Sequence, residues 1–94
     1  MKYDIEFTNK FKKDLKLAQK QNKNLDELFK VIDILASGNK LDSIYKDHRL
    51  TGNYKGNREC HIEPDWLLIY RIQNDILVLM LNRLGSHSEL FRES

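Results

Sequence analysis

Apolar and polar positions alternate from Lys2 to Phe7, with Tyr3, Ile5 and Phe7 on one side and Asp4 and Glu6 on the other. Period-two alternation of this kind predicts a half-buried strand. The period then lengthens. Phe11, Leu15 and Ala18 form the inward stripe of a helix that Thr8 or Asn9 caps and that runs to about Gln21. After a short Gln-Asn-Lys-Asn turn, Asn24 and Glu27 have the spacing of a capping box. They open a second helix in which Leu25, Leu28, Phe29, Ile32 and Leu35 recur at helical spacing, and Gly38 stops it by accepting a left-handed backbone. So short a link predicts a helical hairpin.

From Asn39 to Gly56 the pattern fades into polar, turn-rich sequence that contains His48. Three strands follow, Arg58 to Ile62, Trp66 to Ile72 and Ile76 to Leu81, separated by Glu63-Pro64-Asp65 and Gln73-Asn74-Asp75. Turns that tight predict an antiparallel meander. The fold class is therefore α+β: an N-terminal strand, a two-helix hairpin and a three-stranded meander completing a twisted sheet with the helices on one face. The opposite face is expected to stay at least partly open. The unbroken apolar runs Leu67-Leu68-Ile69 and Leu77-Val78-Leu79 imply burial on both sides in that region, or burial against a partner.

A chain of 94 residues, 40% hydrophobic and 32% charged, has the size and composition of one globular domain, taken as residues 1–94. The single cysteine, Cys60, forms no internal disulfide and reads as a small core residue. Charges at Lys2, Asp4 and Glu6 interrupt the apolar run a signal peptide needs, and no stretch is long enough to span a bilayer, so the expectation is cytoplasmic. Net charge is only +2, yet six lysines face Asp14 alone between Thr8 and Lys23. Such a segment, with Lys12 and Lys16 on it, is compatible with a polyanion such as RNA, though a lysine run alone reads first as a solvated helix face.

Every histidine lies in the C-terminal half, near strand ends and turns. Along Arg58 to Ile62, period two sets Cys60 and Ile62 towards the helices and Glu59 and His61 on the other face. The following turn brings Asp65 and Trp66 close to His61, and an aspartate beside an imidazole fixes its tautomer. Arg83 and His87, placed beyond the last strand on either side of Gly85, converge if the segment turns helically there. Arginine offers planar donors to phosphate oxygens, and Phe91 or Trp66 offers a surface for a base or a piece of core. Histidines separated by 13 and 26 residues match no zinc-ligand pattern, so no metal or other cofactor is expected.

The runs His48-Arg49-Leu50-Thr51-Gly52, Arg58 to Tyr70 and Arg83 to Phe91 together resemble the YafQ branch of the RelE/ParE toxin superfamily. The resemblance covers roughly residues 48 to 91; Leu84 departs from it, standing where Thr or Ile is more usual. It implies the toxin of a type II toxin-antitoxin system. Such a toxin is a metal-independent endoribonuclease, or mRNA interferase, that cuts messenger RNA at the ribosomal A site and is silenced by a cognate antitoxin. The free toxin would be monomeric, and the antitoxin complex a hetero-oligomer. By the same resemblance His48, His61, Asp65, Arg83 and His87 are the catalytic positions, with Trp66 and Phe91 shaping the base pocket. The implied chemistry is attack by the 2′-hydroxyl on the adjacent phosphorus, giving a 2′,3′-cyclic phosphate and a 5′-hydroxyl end. Imidazoles would serve as acid and base, and Arg83 would stabilise the phosphorane. Gyrase-binding relatives keep the fold without needing the histidines, and a non-catalytic RNA- or protein-binding module would use them only as contacts.

Overall fold

A computed structural model describes residues 1–91; positions 92–94 of the expected domain lie outside the described residues. The elements run β1 (Asp4–Phe7), α1 (Asn9–Lys20), α2 (Leu25–Ala36), β2 (His48–Arg49), β3 (Arg58–Glu63), β4 (Trp66–Gln73), β5 (Val78–Gly85) and α3 (His87–Phe91). Short 3-10 turns at Ser43–Tyr45 and Gly52–Tyr54 punctuate the section that was expected to be irregular.

Local chemistry sets the helix ends. Thr8 Oγ1 accepts from the Phe11 amide at 3.0 Å and opens α1, and Asn24 Oδ1 accepts from the Glu27 amide at 3.1 Å and opens α2. Only half of the expected capping box forms, because the Glu27 carboxylate is taken by the Tyr45 hydroxyl at 2.6 Å. That bond pushes the Tyr45 hydroxyl up to about 12. Asn22, at φ 57°, makes the tight reversal between the helices, and Gly38, at φ 79°, closes α2 while the Asn39 amide reaches back to the Ile34 carbonyl. Phe29 is half exposed rather than inward; Val31 and Ala36, both fully buried, take the packing positions on α2.

The sheet has five strands in the order β1-β5-β4-β3-β2. The expected meander is β3-β4-β5, all antiparallel. Two features were not expected. His48 and Arg49 form a fifth strand against β3, and β1 lies parallel to β5, Asp4 beside Val78 and Phe7 beside Leu81. As an edge strand β1 keeps Ile5 and Phe7 substantially exposed, so only Tyr3 of the expected apolar side is buried. The last strand starts later than expected. Ile76 and Leu77 sit exposed in the turn, where Leu77 has φ 55°, and the strand continues through Arg83 to Gly85.

The helical hairpin covers one face through Phe11, Ala18, Leu28, Val31 and Leu35, which pack on Cys60, Ile62, Trp66, Leu68, Tyr70, Leu79 and Leu81. Burial, followed by the charges of Asp47 and Glu59, pushes the Cys60 thiol up, so it behaves as an apolar core group. The other face is not left open. Leu67, Ile69 and Leu90 form a second cluster there, backed by Leu50, Tyr54 and Phe91 from the 50–57 loop and α3. This two-sided burial is why β4 reads as an unbroken apolar run.

Candidate active site

Two irregularities aim the side chains. Opposite the Ile69–Tyr70 step of β4 the β5 strand carries an extra residue, Asn82, since Leu81 pairs with Tyr70 and Arg83 with Ile69. The bulge shifts the phase of β5. Leu79 and Leu81 point to the helices, simple alternation would send Arg83 after them, and instead Arg83 falls beside Ile69 on the other face. Glu59 pairs with Ile69 on its other side and His48 pairs with Glu59, so His48, Glu59, Ile69 and Arg83 form one row across four strands. His61 stands opposite Leu67 in the adjoining row.

The fifth functional position comes from α3, whose start is a reciprocal capping box. Glu89 Oε1 accepts from the Ser86 amide at 2.8 Å and Ser86 Oγ accepts from the Glu89 amide at 3.2 Å. Gly85 lets this turn sit close: a Cβ there would lie 3.0 Å from Glu89 Oε1 and 3.2 Å from Leu90 Cδ2. The helix so begun presents His87. Its amide donates to Asp65 Oδ1 at 3.0 Å, and its Nδ1 lies 3.2 Å from the same oxygen. These contacts, the amide first, hold the Asp65 carboxyl below its usual range.

The three imidazoles come together as a row. Ring centroids are 6.4 Å apart for His48 and His61 and 5.8 Å for His61 and His87; Phe91 follows at 5.9 Å from His87, and Tyr54 at 5.5 Å from Phe91. Each ring is held at Nδ1. His48 Nδ1 faces the Lys46 carbonyl at 2.8 Å and His61 Nδ1 faces the Pro64 carbonyl at 3.2 Å. A carbonyl only accepts, so in both rings Nδ1 carries a hydrogen, and Nε2 is the nitrogen turned to the sheet. Both Nε2 atoms turn to one carboxylate oxygen, Glu59 Oε1, at 3.5 Å from His48 and 3.4 Å from His61. Glu59 is 3% exposed, the one buried charged side chain among the described residues.

Several expectations change. Asp65 partners His87, not His61; the turn carries its carboxylate past His61 to the start of α3. Trp66 is 2% exposed within the main core, so it presents no stacking face to a base. Arg83 lies inside β5 rather than beyond it, and its side-chain hydrogen bonds among the described residues go to Asp14 rather than to His87. Its guanidinium is clamped by Asp14 of α1, Nε to Oδ2 at 2.8 Å and Nη2 to Oδ1 at 3.2 Å, which raises its pKa further. Asp14 Oδ2 also accepts from the Leu84 amide at 2.9 Å, capping β5 where β1 has ended. Lys12 places its ammonium 5.3 Å from the Phe7 ring centre, and Lys16 is exposed. Both stand two residues from Asp14, about 160° from it around the helix, so neither joins the Arg83 side.

Sequence reading named neither Glu59, Asp14 nor Tyr54 as part of this site. Glu59 had a signal, since period two already put it on the face of His61. Asp14 and Tyr54 had none, because their partners are remote in sequence. Among the described residues no three His, Cys, Asp or Glu side chains are grouped as a metal site requires. Nor is any helix long and apolar enough to cross a membrane.

A family profile described as the bacterial toxin of a type II toxin-antitoxin system, YafQ, matches residues 3–92. The mRNA interferase toxin YafQ of Escherichia coli strain K12 is 42% identical over 89 residues, 94% of this chain and 95% of that protein. Among solved structures, the E. coli DinJ-YafQ complex contains a chain with TM-score 0.87 and 41% identity, covering 95% of this chain and 98% of its own. A metal-bound toxin from Helicobacter pylori superposes with TM-score 0.89 at 49% identity, covering 95% and 99%.

Proposed function

Because the chain belongs to the YafQ family of toxins from type II toxin-antitoxin systems, we propose that its histidine row is the centre of an endoribonuclease reaction on messenger RNA. The protein is an mRNA interferase, and its partner is a cognate antitoxin, as DinJ is for the E. coli relative. The observation that carries the site assignment is the pair His61 and His87, 5.8 Å apart and each anchored at Nδ1, His61 with its Nε2 beside Glu59 and His87 with no partner at Nε2 among the described residues.

Two imidazoles so spaced can flank one phosphodiester. One takes the 2′-hydroxyl proton as that oxygen attacks phosphorus; the other protonates the departing 5′-oxygen. The products are a 2′,3′-cyclic phosphate and a 5′-hydroxyl end. Each positioned proton-transfer group contributes about 10²–10⁴-fold. Asp65 holds the ring of His87, and Glu59 sets those of His61 and His48, which adds a third ring beside the phosphate. Arg83 uses Nε and one Nη2 hydrogen on Asp14 and keeps its other donors for the equatorial oxygens of the phosphorane. Phe91, in line after His87, supplies a ring for a base to stack on. Lys12 and Lys16 act at a distance, as part of the basic field of α1 that draws RNA in.

The setting we infer is the ribosomal A site in the cytoplasm, with the free toxin monomeric and the antitoxin complex a hetero-oligomer. Programmed ribosomes incubated with the protein should yield cut mRNA bearing cyclic phosphate ends. His87→Ala should lower that rate at least about 10²-fold while circular dichroism and antitoxin binding stay unchanged. Cleavage at the wild-type rate would refute the assignment.

A further inference from the structure

Resting on that reading of an RNA-cleaving toxin, we propose a second RNA contact on the reverse of the sheet: a basic cavity that grips the phosphodiester backbone beside the cleaved nucleotide. The cavity, of about 910 Å³, opens between β1, the end of β4 and the 49–58 loop. Arg49, Lys55 and Arg58 line it, and no acidic side chain does. That separates it from two other clefts, lined respectively by Glu27 and Glu63 and by Glu63, Asp65 and Glu89. Arg58 is held by Asp47 at 3.3 Å, whereas Arg49 and Lys55 are exposed and have no carboxylate partner among the described residues. Tyr3 and Ile72 give the cavity apolar walls. Cations over apolar walls, with no anion to compete, suit a nucleotide unit: phosphate on the charges, sugar and base on the walls.

Its place relative to the histidines gives the cavity its meaning. His48 and Arg49 are the whole of β2, an edge strand, and they pair with Glu59 and Arg58. Successive strand residues point to opposite faces. His48 therefore joins the imidazole row while Arg49, one residue on, joins the cavity. A single strand of RNA crossing this edge meets the cleavage chemistry on one side and the cationic cavity on the other.

The test uses the full chain and an all-2′-O-methyl single-stranded RNA, which lacks the attacking hydroxyl. Binding is followed by fluorescence anisotropy at several salt concentrations, and in a second arm with vacant ribosomes. Arg49→Ala with Lys55→Ala should reduce the slope of log K against log salt by about 1.4, roughly 0.7 for each phosphate contact. Arg49→Lys with Lys55→Arg should keep the wild-type slope, which separates lost charge from a disturbed fold. A reduced slope on the oligonucleotide assigns the contact to the substrate strand, and one seen only with ribosomes assigns it to ribosomal RNA. An unchanged slope in both arms, with wild-type mRNA cleavage intact, overturns the cavity alone; absence of mRNA cleavage by the wild type overturns the function it rests on.

Discussion

Glu59 combines 3% exposure with two imidazole nitrogens at 3.4 and 3.5 Å from one of its oxygens. A buried carboxylate needs partners, and the two histidines are what this one has. Glu59→Gln keeps the size and removes the charge that orients both rings, so it should slow RNA cleavage about 10²-fold, the lower end for a proton-transfer group. Substrate affinity should change little, which a KM against kcat comparison reads. At this scale much was legible. The three histidines and Asp65 are neighbours in the fold, because histidines near strand ends stand where side chains converge, whereas Trp66, Lys12 and Lys16 lie elsewhere. What stayed hidden was pairing: Asp65 belongs to His87, and the guanidinium of Arg83 to Asp14. Such choices depend on turns and bulges that no local spacing encodes.

α3 is five residues long, too short to persist without anchors. It has two carboxylates at its start, Glu89 on the Ser86 amide and Asp65 on the His87 amide, and Leu90 buried beneath. The backbone amides hold both carboxyls below their ordinary values of 3.8 for Asp65 and 4.5 for Glu89. Folded values below unfolded ones mean the stabilisation is complete above those ordinary values and fades as pH falls through the folded ones. α3 should therefore loosen below about pH 4 while the main sheet persists. Amide exchange at Leu90 should accelerate there, ahead of exchange at Leu68; simultaneous acceleration would contradict it. The Ser86-x-x-Glu89 spacing announces this helix in the sequence. The stop of the last strand at Leu81 was misjudged because the Asn82 bulge restores the core phase at Leu84, beyond the point where alternation breaks.

Across the whole molecule, Asp14 and Arg83 join the helical layer to the last strand over 69 residues. Asp14→Ala leaves a mostly buried guanidinium and the Leu84 amide without their acceptor and should cost about 2–3 kcal/mol in urea unfolding. Cleavage should fall as well, since the guanidinium loses its aim, and a variant as stable as wild type would show the clamp to be idle. The layer arrangement was legible from periodicity, which separated hairpin from meander. The parallel β1–β5 pairing was not, because a four-residue strand with exposed side chains carries no mark of its partner.

That pairing also dictates a sequence of events during synthesis. Asp4 has no strand to lie against until Val78 has been made, and the guanidinium and imidazole of Arg83 and His87 come later still. A nascent chain thus cannot close its five-stranded sheet, or set Arg83 and His87 beside the earlier histidines, before β5 has left the ribosome.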